Sequence, residues 1–272
     1  MDELNKQDDQ IKEIIEDEEL SITDKMVGVL SEPSNLFQKL SNLPYKTVDW
    51  LIPIIFVIII AVASNFILMN NPEVKADILE KQMAQFEKNF QEAVDKGQMT
   101  QSQADQQLDA IQEQMEKGGS TQLIFSTIGI VIITFLSFFI IAGVFLLLVK
   151  FGLQGDGNYK SSMLAYGLPH YIIALQIIVM IILATAMGKM FMDTSIGSFM
   201  NIEKDSMLGW FTHKLDIFSI WFYAVLSIAY AKLFKSENTS KYFIAVFGLW
   251  IGFSLIMYFV VQAVPFLKWF GL

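Results

Sequence analysis

The chain lacks cysteine and arginine entirely and has only two histidines among its 272 residues. Without cysteine it can form neither disulfide bonds nor thiolate metal sites, and two histidines are too few for a histidine-rich metal site. Without arginine it cannot make the bidentate guanidinium contacts that recognise phosphate. The net charge of -9 also argues against DNA or RNA as a partner. We therefore expect no cofactor, no metal and no nucleic acid.

Charged residues are scarce too, at 17% of the chain against roughly 25% in soluble domains, whereas 53% of the residues are hydrophobic. The first twenty residues are acidic and polar, and they lack both the basic start and the apolar core of a cleavable signal peptide. This composition indicates an integral membrane protein whose first apolar helix remains as an uncleaved anchor.

Five apolar segments are long enough to cross a bilayer core of roughly 30 Å, which takes about 20 helical residues. None alternates apolar and polar residues as a barrel strand does. The predicted fold is all-α, a polytopic integral membrane protein with five transmembrane helices. The predicted spans are Trp50–Met69, Leu123–Val149, Pro169–Met190, Ile217–Phe234 and Tyr242–Pro265, and the fourth is the shortest.

The residues before the first span (50–69) divide into two parts. Residues 1–23 are acidic and poor in aromatics, which is typical of a disordered arm. Residues 24–49 contain a predicted short helix that Ser34 would cap. One face of this helix carries three apolar residues, Leu36, Phe37 and Leu40. We interpret it as an amphipathic segment on the membrane surface, and an ordinary linker stays open as the alternative.

Residues 70–121, between the first two spans, show apolar residues at three-four spacing in two series. Gly97 stands at a predicted C-cap between them, and Thr100 with Gln103 forms a capping-box pattern. These signals predict a water-exposed helical hairpin with a small apolar seam, which either packs on itself or, over residues 72–117, binds a membrane-protein partner or a second copy. Ten acidic residues against five lysines in that range give a net charge of -5, which favours a basic ligand. The two series are Leu79, Met83, Phe86, Phe90 and Val94, then Ala104, Leu108, Ile111 and Met115.

The stretch FGLQGDGNYKSS resembles a glycine-rich phosphate loop only superficially, because it follows an apolar helix and has no lysine at the required spacing. A turn fits better, since Gly155 and Gly157 tolerate left-handed backbone angles. A short helix should follow, starting at Lys160, Ser161 and Ser162, with Tyr159 and Tyr166 as anchors in the interfacial aromatic belt.

Two residues mark the start of the third span. Pro169 lacks an N–H group and disfavours helix at the preceding residue, so it should start or kink this helix. His170 then enters the edge of the bilayer, where an ionisable group is a functional candidate. A backbone partner or a side chain reaching the interface would equally give it a structural role.

Other polar features of the spans carry weaker signals. Asn65, Gln176 and Gln262 are amides that can form hydrogen bonds between helices in lipid. Gly248 and Gly252 form a GxxxG step that permits close approach of helices, either within the chain or in a homo-oligomer. Asp216 and Lys214, at the edge of the fourth span, are expected to form a surface ion pair.

The segment AYGLP, which follows the glycine turn and opens a long apolar span, resembles the Yip family of polytopic membrane proteins, named for binding Ypt/Rab GTPases. The N-terminal LSEPSNLFQKL is similar to the Pro-x-x-x-Phe segment before the first span in prokaryotic members, and the resemblance runs from about Met26 to the C-terminus. It implies a five-span domain in which residues 122–272 pack with the first span. The large hairpin departs from the eukaryotic pattern, so GTPase binding is not carried over.

The resemblance implies a non-enzymatic scaffold or adaptor that organises membrane proteins or lipids. The alternative is a transporter or lipid-translocation component, which requires His170 and the three amides to converge on one cavity. Lysines near the span ends are evenly divided between the two sides, but the short AKLFKSENTSKY connection favours a cytoplasmic N-terminus. We expect a prokaryotic cytoplasmic membrane protein whose partners include membrane lipids.

Overall fold

The computed structural model describes residues 20–117 and 120–264, except for the side chains of residues 114–123. Within these ranges the only β-type pairing is an isolated bridge between Ser195 and Asp216. The remaining regular structure is helical: α1 Ile22–Ser31, α2 Pro33–Leu40, α3 Thr47–Asn70, α4 Pro72–Asp95, α5 Gln101–Lys117, α6 Ser120–Leu147 with a π-helical turn Leu148–Gly152, α7 Tyr159–Gly167, α8 His170–Met187, α9 Ile196–Phe199, α10 Met207–Lys214, α11 Ile217–Leu233 and α12 Thr239–Ala263. The predicted all-helical class is confirmed.

Four helical segments within the described residues are long and apolar enough to cross a membrane. They are Thr47–Asn70, Ile124–Gly152, Tyr159–Met187 and Thr239–Ala263. Helix α11, the predicted fourth span, has 17 residues and falls short of that length, so the count of five is not confirmed. The predicted end of the fifth span at Pro265 lies outside the described residues.

Aromatic contacts, a close approach of two backbones and a hydrogen bond hold the helices of the bundle together. Trp50 on α3 stacks on Phe138 of α6, with ring centroids 5.1 Å apart. Gly167, the last residue of α7, lies so close to α3 that an added Cβ would be 2.6 Å from the Cβ of Trp50. A hydrogen-bonded pair, Ser162 of α7 and Tyr230 of α11, connects two further helices with an O···O distance of 2.6 Å.

The segment before the first span is more ordered and more buried than predicted. Ser21 caps α1 through a capping box with Asp24, so helix begins inside the predicted arm, most of which (residues 1–19) lies outside the described residues. Helix α2 begins at Pro33 and has no side-chain cap, so the cap predicted at Ser34 is wrong. The apolar face of α2 is buried in the main core, against α11; the position of this segment at the membrane surface stays a prediction. This face consists of Leu36, Phe37 and Leu40.

Helices α4 and α5 form the hairpin that the sequence predicts. Gly97 has a left-handed φ of 68°, and its N–H donates to the Val94 carbonyl at 2.8 Å. At the start of α5, the Thr100 N–H donates to Gln103 Oε1 at 2.9 Å and the Gln103 N–H to Thr100 Oγ1 at 3.3 Å. The capping box is confirmed, and Gly97 is the left-handed residue directly after the C-cap, which is Lys96.

The glycine turn before α7 has a different physical basis from the predicted one. The left-handed residue of this turn is Gln154, with φ 55°, and neither Gly155 nor Gly157 has a positive φ. A Cβ on Gly155 would lie 2.8 Å from Val149 Cγ1, and a Cβ on Gly157 would lie 2.5 Å from the ring of Phe234. Glycine is required because the turn packs directly on the ends of α6 and α11.

Candidate functional site

Pro169 separates α7 from α8, as predicted, because α7 ends at Gly167 and α8 begins at His170. His170 is buried, and its Nδ1 lies 2.8 Å from the carbonyl oxygen of Tyr166. Tyr166 is also buried, at 8% exposure. Its predicted role as an interfacial anchor is therefore wrong: the ring lies in the bundle interior because α3, α6 and α11 surround the α7–α8 junction.

Three aromatic rings enclose the imidazole of His170. Tyr166, Phe222 and Phe138 stand edge-on to it, with centroids 4.8, 5.7 and 5.9 Å away. The surroundings are apolar, and the hydrogen-bond partner of the ring is a backbone carbonyl rather than an acid. This environment is typical of a packed, hydrogen-bonded histidine, and no carboxylate of the described residues is bonded to the ring to assist proton transfer.

A polar network one to two turns further along α8, at Gln176, includes Asp216, for which the sequence predicted a different partner. Asp216 is 1% exposed, and its carboxylate accepts from Gln176 Nε2 at 2.9 Å, Thr194 Oγ1 at 2.5 Å and Ser219 Oγ at 2.7 Å. It also caps α11 through the Phe218 N–H at 3.2 Å. Neutral donors and a helix N-terminus thus stabilise this buried carboxylate.

The predicted ion pair between Asp216 and Lys214 does not form. The Lys214 ammonium lies over the Trp250 ring instead, 5.6 Å from its centroid. Burial lowers the pKa of Lys214, and the nearby Lys204 ammonium lowers it further while Asp193 acts in the opposite direction. Tertiary contacts with α8 and α12 therefore override the proximity of the two residues in sequence.

Next to this network, Asp193 organises the loop between α8 and α10. Its carboxylate accepts hydrogen bonds from the hydroxyls of Ser195 and Ser198 and lies 3.3 Å from Lys204 Nζ. Burial alone would raise the pKa of Asp193, but the two hydroxyls, Lys204 and His213 together hold it well below its usual value. The carboxylate is therefore ionised at neutral pH.

Asp193, Ser195 and His213 have the residue types of a hydrolytic triad but a different geometry. His213 Nδ1 lies 3.1 Å from both Asp193 Oδ2 and Ser195 Oγ, while its Nε2 lies 2.9 Å from the Ile202 carbonyl. A triad places the acid and the nucleophile on opposite ring nitrogens. Here the Ser195 hydroxyl donates to the carboxylate, so the histidine is not positioned as its base.

The same loop holds the hairpin against the membrane bundle. Asp77 Oδ2 accepts from the Met190 N–H at 2.7 Å, and Lys81 Nζ reaches both Asp77, at 2.8 Å, and the Met190 carbonyl, at 3.0 Å. Further along α4, Lys88 pairs with Asp205 at 2.6 Å and Glu203 at 3.2 Å. The hydrogen bond to Asp205 is the largest contribution to the raised pKa of Lys88.

Helix α12 of the bundle also contacts this loop. Gln262 Nε2 and Tyr258 Oη on α12 donate to the Asp205 carbonyl, at 2.7 and 3.2 Å. The Asp205 turn is therefore bonded to α4 through its side chain and to α12 through its backbone. Sequence reasoning selected Gln262 but found no partner, since nothing local links it to a loop so far back in the chain.

A groove of about 520 Å³ lies between the two arms of the hairpin, near its tip. Its apolar floor includes Phe90 and Ala104, both buried, and its polar rim includes Glu87, Lys88 and Gln91. The remaining lining residues are Ala84, Gln101 and Leu108. The predicted seam thus closes at Phe90 and Ala104 and leaves an open groove beside them.

The other predicted residues do not join these clusters. Asn65 is half-buried on α3 and forms no side-chain hydrogen bond to a described residue. A Cβ added at Gly248 or Gly252 would meet no described atom within 4 Å, so the GxxxG step has no partner within the described chain. His170, Gln176, Gln262 and Asn65 therefore lie in four different environments, not around one cavity.

The chain is an integral membrane protein, because several of its helices are apolar and long enough to cross a membrane. The polar loops and the hairpin between these helices form hydrogen bonds with one another. The sequence model of one protein family, the Yip1 domain, matches residues 27–262, and the chain belongs to that family. No curated protein and no solved structure matches the chain. The resemblance seen in AYGLP and LSEPSNLFQKL is thereby confirmed at the level of the family.

Proposed function

We propose that this chain is a non-enzymatic scaffold or adaptor of a prokaryotic cytoplasmic membrane. Its N-terminus faces the cytoplasm, and its hairpin binds a second membrane protein on the opposite side. The hairpin groove is the observation that carries this proposal. It is an open groove on the hairpin between the first two spans, and its lining combines apolar side chains with polar ones.

The way the hairpin is held supports the same function. Asp77, Lys81 and Lys88 tie α4 to the loop that follows α8. A partner in the groove would therefore be coupled mechanically to the bundle instead of being held on a loose tether. The net charge of -5 over residues 72–117 favours a partner with a basic contacting surface.

Site-specific photo-crosslinking in native membranes tests the proposal. A photoreactive residue at Gln91, on the groove rim, should give one dominant protein adduct, and the same probe at the exposed Lys75, away from the groove, should not. Filling the groove with Ala84→Trp should abolish the adduct. The matched control Ala76→Trp adds the same side chain at another exposed alanine of α4 and should leave it intact.

The outcomes separate the candidate functions. An adduct that survives Ala84→Trp, or equal labelling at both probe positions, would overturn the groove as a binding site. An adduct of twice the chain's mass would identify a second copy as the occupant. Purified chain that moves labelled lipid or solute across vesicles would instead favour the transporter or lipid-translocation alternative.

A further inference from the structure

The end of the bundle opposite the hairpin carries a group of lysines around the glycine turn. The turn is fixed at a junction of three helices: the Asp156 N–H donates to the Phe234 carbonyl at 3.2 Å, and Lys241 Nζ donates to the Leu153 carbonyl at 3.2 Å. Four further lysines lie in or next to the helix ends that meet here, and we call them the lysine junction: Lys150, Lys160, Lys232 and Lys235.

These lysines are largely uncompensated. Lys150, Lys160 and Lys235 are exposed, Lys232 is half-buried, and none of the four forms an ion pair with a described residue. The acids within the same two connections, residues 150–160 and 232–241, are Asp156 and Glu237, and both are exposed. The four junction lysines, with Lys241, leave a net charge of +3 after these two acids. Such a patch attracts an anion.

The position of the lysine junction indicates which anion. Lys150 follows the last turn of α6, Lys160 lies in the first turn of α7, and Lys232 lies in the last turn of α11, so the ammonium groups stand where apolar helices end. Phe151, beside Lys150, is 73% exposed. Positive charge next to an exposed aromatic at a helix end matches a lipid, with the headgroup on the lysines and an acyl chain on the ring.

We propose that the lysine junction binds the headgroup of an anionic phospholipid. The surface is separate from the hairpin groove, so the proposal does not depend on the adaptor function. The competing occupant within the chain is the segment before Leu20, which has nine acids and two lysines, a net charge of -7. Helix α1, which follows this segment in the chain, packs on α2 and α8, and α2 packs on α11.

The test uses the full chain in detergent with an equimolar mixture of phosphatidylglycerol and phosphatidylcholine, and counts retained lipids by native mass spectrometry. The wild type should retain phosphatidylglycerol preferentially. A lysine near an anionic surface contributes about 1 kcal/mol, so the combined change Lys150→Gln, Lys160→Gln and Lys235→Gln should reduce the preference at least about fivefold. The preference should also weaken as salt is raised.

The matched control makes the same charge change on the hairpin side: Lys75→Gln, Lys96→Gln and Lys204→Gln. It should leave the preference unchanged, and an equal loss in both triple variants would overturn the site. If the junction triple does not fold, Lys160→Gln alone gives the same comparison, and an unchanged preference there also overturns the proposal.

A last variant separates lipid from the acidic segment. Its nine acids before Leu20 are changed to the corresponding amides. If the wild type shows no lipid preference and this variant does, the acidic segment occupies the lysine junction and the lipid proposal for the native chain is wrong. If both show it, lipid is the occupant.

Discussion

Gly157→Ala tests whether the glycine turn is held by contact or by backbone conformation. An alanine Cβ would lie 2.5 Å from Cδ1 and Cε1 of Phe234, whereas carbon atoms in contact sit about 3.5–4.0 Å apart. The overlap of about 1 Å must be relieved by moving the ring or the turn.

Neither can move freely. Phe234 is 1% exposed and packs against Tyr230, with ring centroids 5.5 Å apart, while its carbonyl accepts from the Asp156 N–H. Forcing one extra methyl group into a filled interior costs about 1–3 kcal/mol. At about 2–4 °C per kcal/mol for a chain of this size, Gly157→Ala should melt between about 2 and 12 °C below the wild type in detergent, as followed by tryptophan fluorescence.

Two variants make this measurement diagnostic. Gly248→Ala adds the same methyl group where no described atom lies within 4 Å, and glycine is unfavourable in a helix interior, so its melting temperature should equal or exceed that of the wild type. Gly157→Asn would be tolerated if the turn needed a left-handed residue, but steric contact predicts a loss at least as large as with alanine. A wild-type melting temperature for Gly157→Ala would refute the reasoning.

Three further predictions concern charges and the helix junction. Lys25 and Asp49 form a 2.6 Å ion pair with side chains only 12% and 6% exposed. Removing one partner from such a pair costs about 3–5 kcal/mol, because the other charge stays buried without a partner. Lys25→Ala should therefore lower the melting temperature more than the double change Lys25→Ala with Asp49→Ala, and the reverse order would contradict this. Asp193 has a lowered pKa in the folded state. The stabilisation by its carboxylate is therefore fully present above the ordinary pKa of about 3.9 and is lost as pH falls from about 5 through the folded pKa. The melting temperature should fall more steeply in this window for wild type than for Asp193→Asn, and parallel curves would contradict this stabilisation. Pro169→Ala should let α7 and α8 join, straighten the start of the third span and lower stability in detergent, and an unchanged melting temperature would count against that role.

Features that depend only on residues close together in the chain could be predicted from the sequence. The spans need only a long apolar run, and the helix end at Gly97 and the Thr100–Gln103 box are completed within a few residues. The start of α8 after Pro169 follows from the missing N–H of proline. The same logic located the short helix after the glycine turn, where Asn158 accepts from the Ser161 N–H at 3.1 Å.

Features that depend on residues far apart in the chain could not be predicted from the sequence. Asp216 looked like the partner of Lys214, yet its carboxylate is bonded to Gln176, 40 positions away in the chain. Tyr166 looked like an interfacial anchor because tyrosine is common there, but it faces His170 and Phe222 inside the bundle. In both cases the residue type correctly indicated a side chain with specific contacts. The direction of the side chain could not be predicted, because it depends on which helix packs beside it.

The length of α11 can also be understood from contacts between distant residues. Helix α11 has 17 residues, which at 1.5 Å per residue is about 26 Å, slightly less than a hydrocarbon core of roughly 30 Å. A short helix is tolerated if the residues at its ends are satisfied by protein instead of lipid. At one end Asp216 caps α11 and accepts from Gln176 and Thr194; at the other, the Phe234 carbonyl accepts from the glycine turn. The polar contacts that the sequence could not assign therefore satisfy both ends of α11, so that this short helix can pack among longer ones.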